Sequence, residues 1–354
     1  MSTGKTYRIA SIPGDGIGNE VIPAGIEVLQ ALARKSGFEV AFKHFDWSSA
    51  RFLATGAYIP EGGLEELKTF DAIYFGAVGS PDVPDHVSLW GLRLPICQGF
   101  DQYANVRPTR VLPGVTSPLV RGKDIDWVII RENSEGEYSG SGGRVHRGLP
   151  EEIATETSVF TRHGVERIHR FAFELARKRP RKHLTLVTKS NAQRHGMVLW
   201  DEIFYEVAKR YPDVQTNREL VDAVTTTMTL KPERLDTIVA TNLHADILSD
   251  LAAALSGSLG IAPTANLNPE RTFPSMFEPI HGSAFDITGK GIANPIATFW
   301  TASMMLEHLG EPKAAAALMK AIESVTGEQI FTPDLGGVHD TAAVTRAVIR
   351  ALPA

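Results

Sequence analysis

The residues best equipped for chemistry in this chain are carboxylates and cations at the ends of apolar segments. In TNLHADILSD, Asp246 and Asp250 lie four residues apart on a predicted helix, about one turn, so both carboxylates face the same way. Like charges at that spacing repel by roughly 0.2–0.5 kcal/mol, and the same helix carries the apolar Ile247, Leu248, Leu251 and Leu255. A divalent cation would relieve the repulsion, and all-oxygen ligands suit Mg²⁺ or Mn²⁺ rather than zinc. An arginine-paired or solvent-facing helix surface is the other reading. His244 is either a further ligand or a structural hydrogen-bonder. Lys189 directly follows the strand-like HLTLVT, and Arg131 follows WVII. Ligands of α/β sheets bind beyond the carboxyl ends of strands, where both cations would sit. Arg93 and Arg107 flank a stretch with little regular structure. Planar guanidinium groups suit bidentate carboxylate binding, and each arginine could equally serve a salt bridge. Gly14, Gly16 and Gly18 lie between a strand-like and a helix-like segment, a context that suits a nucleotide phosphate. Asn19 breaks the spacing of the dinucleotide fingerprint, so a tight structural turn stands beside that reading.

These groups need a scaffold, and the chain alternates in the way one requires. Strand-like Tyr7–Ile12, Phe38–His44, Asp71–Gly76, Ile125–Ile130, His183–Thr188 and Thr237–Ala240 are interspersed with helix-like stretches. The helix-like stretches are Glu20–Lys35, Val165–Lys178, Met197–Lys209, Ala245–Ser256, Pro295–Leu309 and Pro312–Glu323. Asn294 stands at the N-cap position of the helix that opens with Pro295. The alternation predicts an α/β fold with a largely parallel sheet. Tyr138–Glu156, rich in Gly, Ser and charge, predicts a hairpin or projecting arm. No linker separates two domains in series, although 354 residues usually make two. The chain is therefore expected to cross between them more than once.

Composition narrows the function. With 36 basic and 41 acidic residues, a formal net charge of −5, nothing pulls the chain toward nucleic acid. The single cysteine, Cys97, excludes a disulfide framework and a multi-cysteine zinc site. MSTGKTYRIASIP lacks the continuous apolar core of a signal peptide. The uncharged Leu251–Pro269, interrupted by Gly257, Gly260 and Pro263, predicts a helix end and a loop rather than a membrane span. A cytoplasmic enzyme acting on a small molecule, with no membrane partner, is the expectation.

One family accounts for these segments together. IPGDGIG (Ile12–Gly18), ANVRP (Ala104–Pro108), RENSEGEYSG (Arg131–Gly140), VTKSN (Val187–Asn191) and VDAVTT (Val221–Thr226) fall in order along the chain. TNLHADILSDLAA (Thr241–Ala253) and EPIHGSAFDITGKGIANPIA (Glu278–Ala297) follow. Along nearly its whole length the chain resembles the metal-dependent decarboxylating dehydrogenases of 2-hydroxy acids, which include isocitrate, 3-isopropylmalate, tartrate and D-malate dehydrogenases. DHVSLWG (Asp85–Gly91) and FDQYANVRP (Phe100–Pro108) are most similar to the tartrate and D-malate branch.

The resemblance implies an isopropylmalate dehydrogenase-like fold of two domains. Residues 1–99 with 259–354 would form the larger, dinucleotide-binding domain. Residues 100–258 would form the smaller one, with the arm and the dimer interface, and the active-site cleft would lie between the two. It implies a homodimer with shared sites, a metal ion (Mn²⁺ or Mg²⁺) on Asp222, Asp246 and Asp250, and Lys189 and Asp222 reaching the partner's site. Lys189 would be the base and Tyr138 the proton donor, with Arg93, Arg107 and Arg131 binding substrate carboxylates. An ordinary lysine is protonated at neutral pH, so that role needs an environment favouring the neutral amine. His281, Gly282, Ser283, Ala284, Asp286 and Asn294 would bind the cofactor. An aspartate at position 286 accepts from a ribose hydroxyl and repels a 2′-phosphate, which points to NAD. A monovalent cation such as K⁺ is left open.

Relatives carry an arginine ten residues before Arg107, where this chain has Cys97. Arg93, one helical turn earlier, is the expected substitute, and the loss disfavours the three-carboxylate substrate isocitrate. A C4 acid, tartrate or D-malate, is the first expectation. An isopropylmalate enzyme, or a non-catalytic regulatory subunit, is the alternative.

Overall fold

The computed structural model describes residues 5–353. The first strands along the chain are β1 (Thr6–Gly14), β2 (Glu39–His44), β3 (Ala72–Ala77), β4 (Ala104–Arg110), β5 (Asp126–Glu132) and β6 (Gly136–Val145). They are followed by β7 (Ile153–Val159), β8 (His183–Thr188), β9 (Gln215–Leu220), β10 (Thr237–Ala240), β11 (Pro263–Leu267) and β12 (Ser275–Pro279). The chain divides into two compact units, each discontinuous. One comprises Met1–Gln102, Arg110–Gly122 and Ala253–Ala354; the other comprises Tyr103–Thr109 and Lys123–Ala252.

In the first unit the strand order is β2-β1-β3-β12-β11, parallel except for the β11–β12 pair. The helix Gly18–Ser36 covers this sheet because Val21, Ile22, Val28, Leu29 and Leu32 recur at helical spacing and are all buried. It stops at Gly37, whose left-handed backbone (φ 79°) lets its N–H reach the Ala33 carbonyl. Helices Ile296–Leu309, Pro312–Gly327 and Thr341–Ala351 close the same core around Phe277, Phe299 and Leu318. Burying each such side chain contributes about 1.5–3 kcal/mol. Since β1, β3 and β12 run parallel, the Gly14–Gly18 turn and the loop after Pro279 emerge at one edge.

In the second unit the order is β4-β5-β10-β8-β9, with β5, β10, β8 and β9 parallel. Helices Arg162–Lys178 and Gly196–Ala208 pack Phe173, Trp200 and Phe204 into its interior. The carboxyl ends of β5, β8 and β10 deliver Arg131, Lys189 and the helix Asn242–Ser256 to one edge. β6 and β7 form a separate antiparallel ribbon, exposed over most of its length, which is the predicted arm.

The α/β alternation and mostly parallel pairing follow the sequence. Several details differ. Residues 110–122 belong to the first unit, where Arg110 pairs with Glu323 and Gly114 abuts the backbone of Thr326. The stretch around Arg93 is helical rather than irregular. Asp85–Ser88 runs into a π turn, Leu89–Arg93, and then into helix Leu94–Gly99. Asn294 lies one residue before the N-cap, because the helix starts at Ile296 after Pro295. Its side chain still accepts from the Ile296 N–H at 3.0 Å. Leu251–Pro269 holds a helix end, a short 3₁₀ turn and the whole of the mostly buried strand β11. Among the described residues no helix is long and apolar enough to cross a membrane.

Candidate active site

Asp246 is the hub of a charged cluster in the second unit. Arg131, at the end of β5, donates to its Oδ1 through Nη1 and to Asn242 Oδ1 through Nε at 2.9 Å. Arg107, from β4, approaches the same Oδ1 at 3.2 Å, bonds Ser249 Oγ, and is braced by Asn105 at 2.8 Å. Both arginines are almost wholly buried, so their charges are poorly screened and fixed in direction. The Tyr138 hydroxyl donates to Asp246 Oδ2 at 3.1 Å, and the Arg131 guanidinium lies over its ring at 5.1 Å. Five residues expected from the sequence (Arg107, Arg131, Tyr138, Asp246 and Asp250) thus belong to one neighbourhood.

Asp250, one turn beyond Asp246, makes no hydrogen bond among the described residues. Desolvation raises its carboxyl above the ordinary range and the Asp246 charge adds to the rise, while Arg107 and Arg131 oppose it. That donor set fits a divalent cation: two carboxylates on one helix face, one of them unmatched by any hydrogen bond. Asp222 and Lys189 pair with each other. The Lys189 hydrogen bond holds the Asp222 carboxyl below its usual range. Among the described residues no three acidic, histidine or cysteine side chains of one chain gather into a metal cage.

His244 is largely buried, and desolvation lowers its imidazole below the ordinary range. The supporting residues that sequence reasoning missed are Asn105, Asn242 and Ser249. All three lie inside the quoted motifs, and the signal was their position beside the charged residues.

The glycine turn in the first unit is filled by protein. A Cβ on Gly14 would strike the Ala77 carbonyl, and one on Gly16 the Ser283 carbonyl. The Ile17 N–H donates to that Ser283 carbonyl at 2.8 Å. Within the chain these glycines therefore serve close packing of the turn onto the loop that follows β12. That loop carries His281, Gly282, Ser283, Ala284 and Asp286. His281 Nδ1 meets the Gly282 carbonyl at 3.0 Å, while its buried Nε2 has no partner. Asp286 is exposed and makes no hydrogen bond among the described residues. Asn294 is engaged through Nδ2 with Asp334 at 3.0 Å. An orphaned imidazole nitrogen and an open carboxylate on one loop fit the hydroxyl-rich adenosine half of a dinucleotide.

Arg93 is anchored in the first unit. Nε and Nη2 reach Glu278 Oε1 at 2.8 and 2.7 Å, and Nη2 donates to Asn266 at 3.2 Å. Cys97 is buried among Ile96, Phe100 and other apolar side chains, so its thiol is a core group.

Residues 8–352 match the family described as isocitrate/isopropylmalate dehydrogenase. The chain belongs to that family. It is 68% identical over 351 residues to a probable tartrate dehydrogenase/decarboxylase of Agrobacterium vitis, covering 98% of this chain and 96% of that protein. It is 52% identical over 356 residues to the D-malate dehydrogenase (decarboxylating) of Escherichia coli strain K12, covering 98% of each. The crystal structure of isocitrate dehydrogenase from Methylococcus capsulatus superposes with a TM-score of 0.89 at 36% identity, covering 98% of this chain and 99% of that one. As a member of the isocitrate/isopropylmalate dehydrogenase family the chain is an oxidoreductase, a dehydrogenase of hydroxy acids. The family is NAD(P)- and divalent-metal-dependent.

Proposed function

We propose that this member oxidises a C4 2-hydroxy dicarboxylic acid, tartrate or D-malate, with NAD and with Mn²⁺ or Mg²⁺, and that the oxidised product loses CO₂. The observation that carries the reading is the cluster around Asp246. Two buried guanidinium groups and a phenol converge beside an unmatched carboxylate, which is the lining a small dianionic hydroxy acid needs. The relatives named for tartrate and D-malate support the choice of substrate.

When bound, the divalent ion would supply Lewis acidity and the dinucleotide a hydride acceptor. The residues do the rest. Arg107 and Arg131 orient a substrate carboxylate and hold it as it leaves. Lys189 takes the hydroxyl proton at Nζ. Tyr138 holds a proton at its phenolic oxygen for return to the carbon skeleton. Asp246 and Asp250 hold the cation, with Asp222 supplied by a second copy of the chain in a homodimer. Asp286 selects NAD over NADP. Arg93, in place of the arginine missing at position 97, offers a guanidinium to the substrate.

A panel of tartrate stereoisomers, D-malate, isopropylmalate and isocitrate, assayed with NAD and Mn²⁺ while NADH and CO₂ are scored separately, tests this. The highest kcat/KM on tartrate or D-malate is expected. A preference for isopropylmalate or isocitrate would overturn the substrate assignment, and no turnover on any of them would overturn the catalytic reading.

A further inference from the structure

Glu20 has no part in the chemistry above, yet it makes a distinctive set of bonds. It lies in the first turn of the helix Gly18–Ser36. Its Oε1 accepts the Gly289 N–H at 2.6 Å and its Oε2 accepts the Gly291 N–H at 3.1 Å. At the other end of the same loop, the Ser283 carbonyl accepts from Ile17 at 2.8 Å. The Gly291 carbonyl is held in turn by the Thr341 N–H at 2.8 Å. Both ends of the segment 283–291 are therefore fastened to one turn of one helix. Asp286 projects from the middle of that segment, exposed.

Bonds from backbone amides to a carboxylate are roughly twice as strong as neutral ones. A loop without such a fastening must be ordered by its ligand, and that cost appears as lost affinity. We propose that Glu20 is a positioning residue for the dinucleotide, clamping the 283–291 loop so that Asp286 is pre-set before the cofactor arrives. This inference rests on the NAD reading above.

The test uses the full-length protein with Glu20→Gln, which keeps the shape but replaces one acceptor with an amide. Glu27→Gln, an exposed carboxylate on the same helix, is the control. Two quantities are read: hydrogen exchange of the 283–291 peptide without ligand, and the NAD dissociation constant by titration. Glu20→Gln should speed exchange in that peptide and raise the NAD constant about tenfold, with kcat changed less than twofold and the control unaltered. Unchanged exchange, or faster exchange with an unchanged NAD constant, would overturn the clamp. So would a parallel fall of kcat and melting temperature, the mark of a merely structural role. Absence of NAD binding by the unmutated protein would instead overturn the NAD reading, which separates the two failures.

Discussion

The two units prepare their ligand-facing residues by opposite means. In the second unit the charged groups satisfy one another: Arg107, Arg131 and Tyr138 converge on Asp246, and Lys189 pairs with Asp222. In the first unit backbone bonds hold the loop, and the buried His281 Nε2 and the exposed Asp286 carboxylate make no hydrogen bond among the described residues. The chemistry of each part explains the difference. Buried guanidinium groups cannot wait unpaired for a substrate without a large desolvation cost, so they need a resident counter-ion. A nucleoside is recognised by hydrogen bonds from a shaped loop, so shape must be fixed and acceptors left open. The buried arginines of the second unit should therefore affect stability and activity together, whereas the cofactor-facing residues of the first should change cofactor use without changing stability.

The largest effect is expected at Lys189 and Asp250 of the second unit, where the comparison is sharpest for activity. Lys189→Met or Asp250→Asn should lower kcat by about 10³-fold or more, with melting curves by circular dichroism little changed. Arg131→Ala should break the coupling most visibly. Removing a buried partner of Asp246 should cost about 3 kcal/mol in urea unfolding and raise the substrate KM about a hundredfold. An unaltered unfolding midpoint would contradict the idea that these charges are structural. Asp286→Lys belongs to the other class. It should shift the NAD-to-NADP ratio of kcat/KM by about a hundredfold with no change in unfolding.

The smallest effect on turnover is expected from His169, buried in the second unit against Trp200 and Phe204, with neither ring nitrogen hydrogen-bonded among the described residues. Burial lowers its pKa from 6.5 to about 3, so the folded state keeps it neutral. Between those values the unfolded chain binds the extra proton, and stability falls as pH drops from 7 toward 3. His169→Leu should remove about 3 kcal/mol of the loss between pH 7 and 4, measured by unfolding at each pH, and leave kcat intact.

Much of this was legible in the sequence, for identifiable reasons. Strands such as His183–Thr188 and Thr237–Ala240 are legible to the residue because short stretches rich in Leu, Val, Ile and Thr suit a strand buried on both faces. Asp246 and Asp250 were placed on one face by helix geometry alone. The hub at Asp246 was not legible, because it joins residues more than a hundred positions apart. The role of the glycine turn was undecidable from spacing, since its occupant is the carbonyl of Ser283, distant in sequence. The helix around Arg93 escaped notice because Gly91 and Pro95 interrupt the pattern, and a π turn absorbs the mismatch.

In the homodimer proposed above, Asp222 and Lys189 of one chain complete a site whose other carboxylates, Asp246 and Asp250, come from the second copy. Mixing two inactive variants tests it directly. After Lys189→Met and Asp250→Asn chains are unfolded together and refolded, each heterodimer should carry one site with both residues intact. About a quarter of the unmutated activity should return, because half the dimers are mixed and one site of two is whole. If Lys189 and Asp250 of the same chain served one site, every site would keep one defect. The mixture would then stay as inactive as its parents.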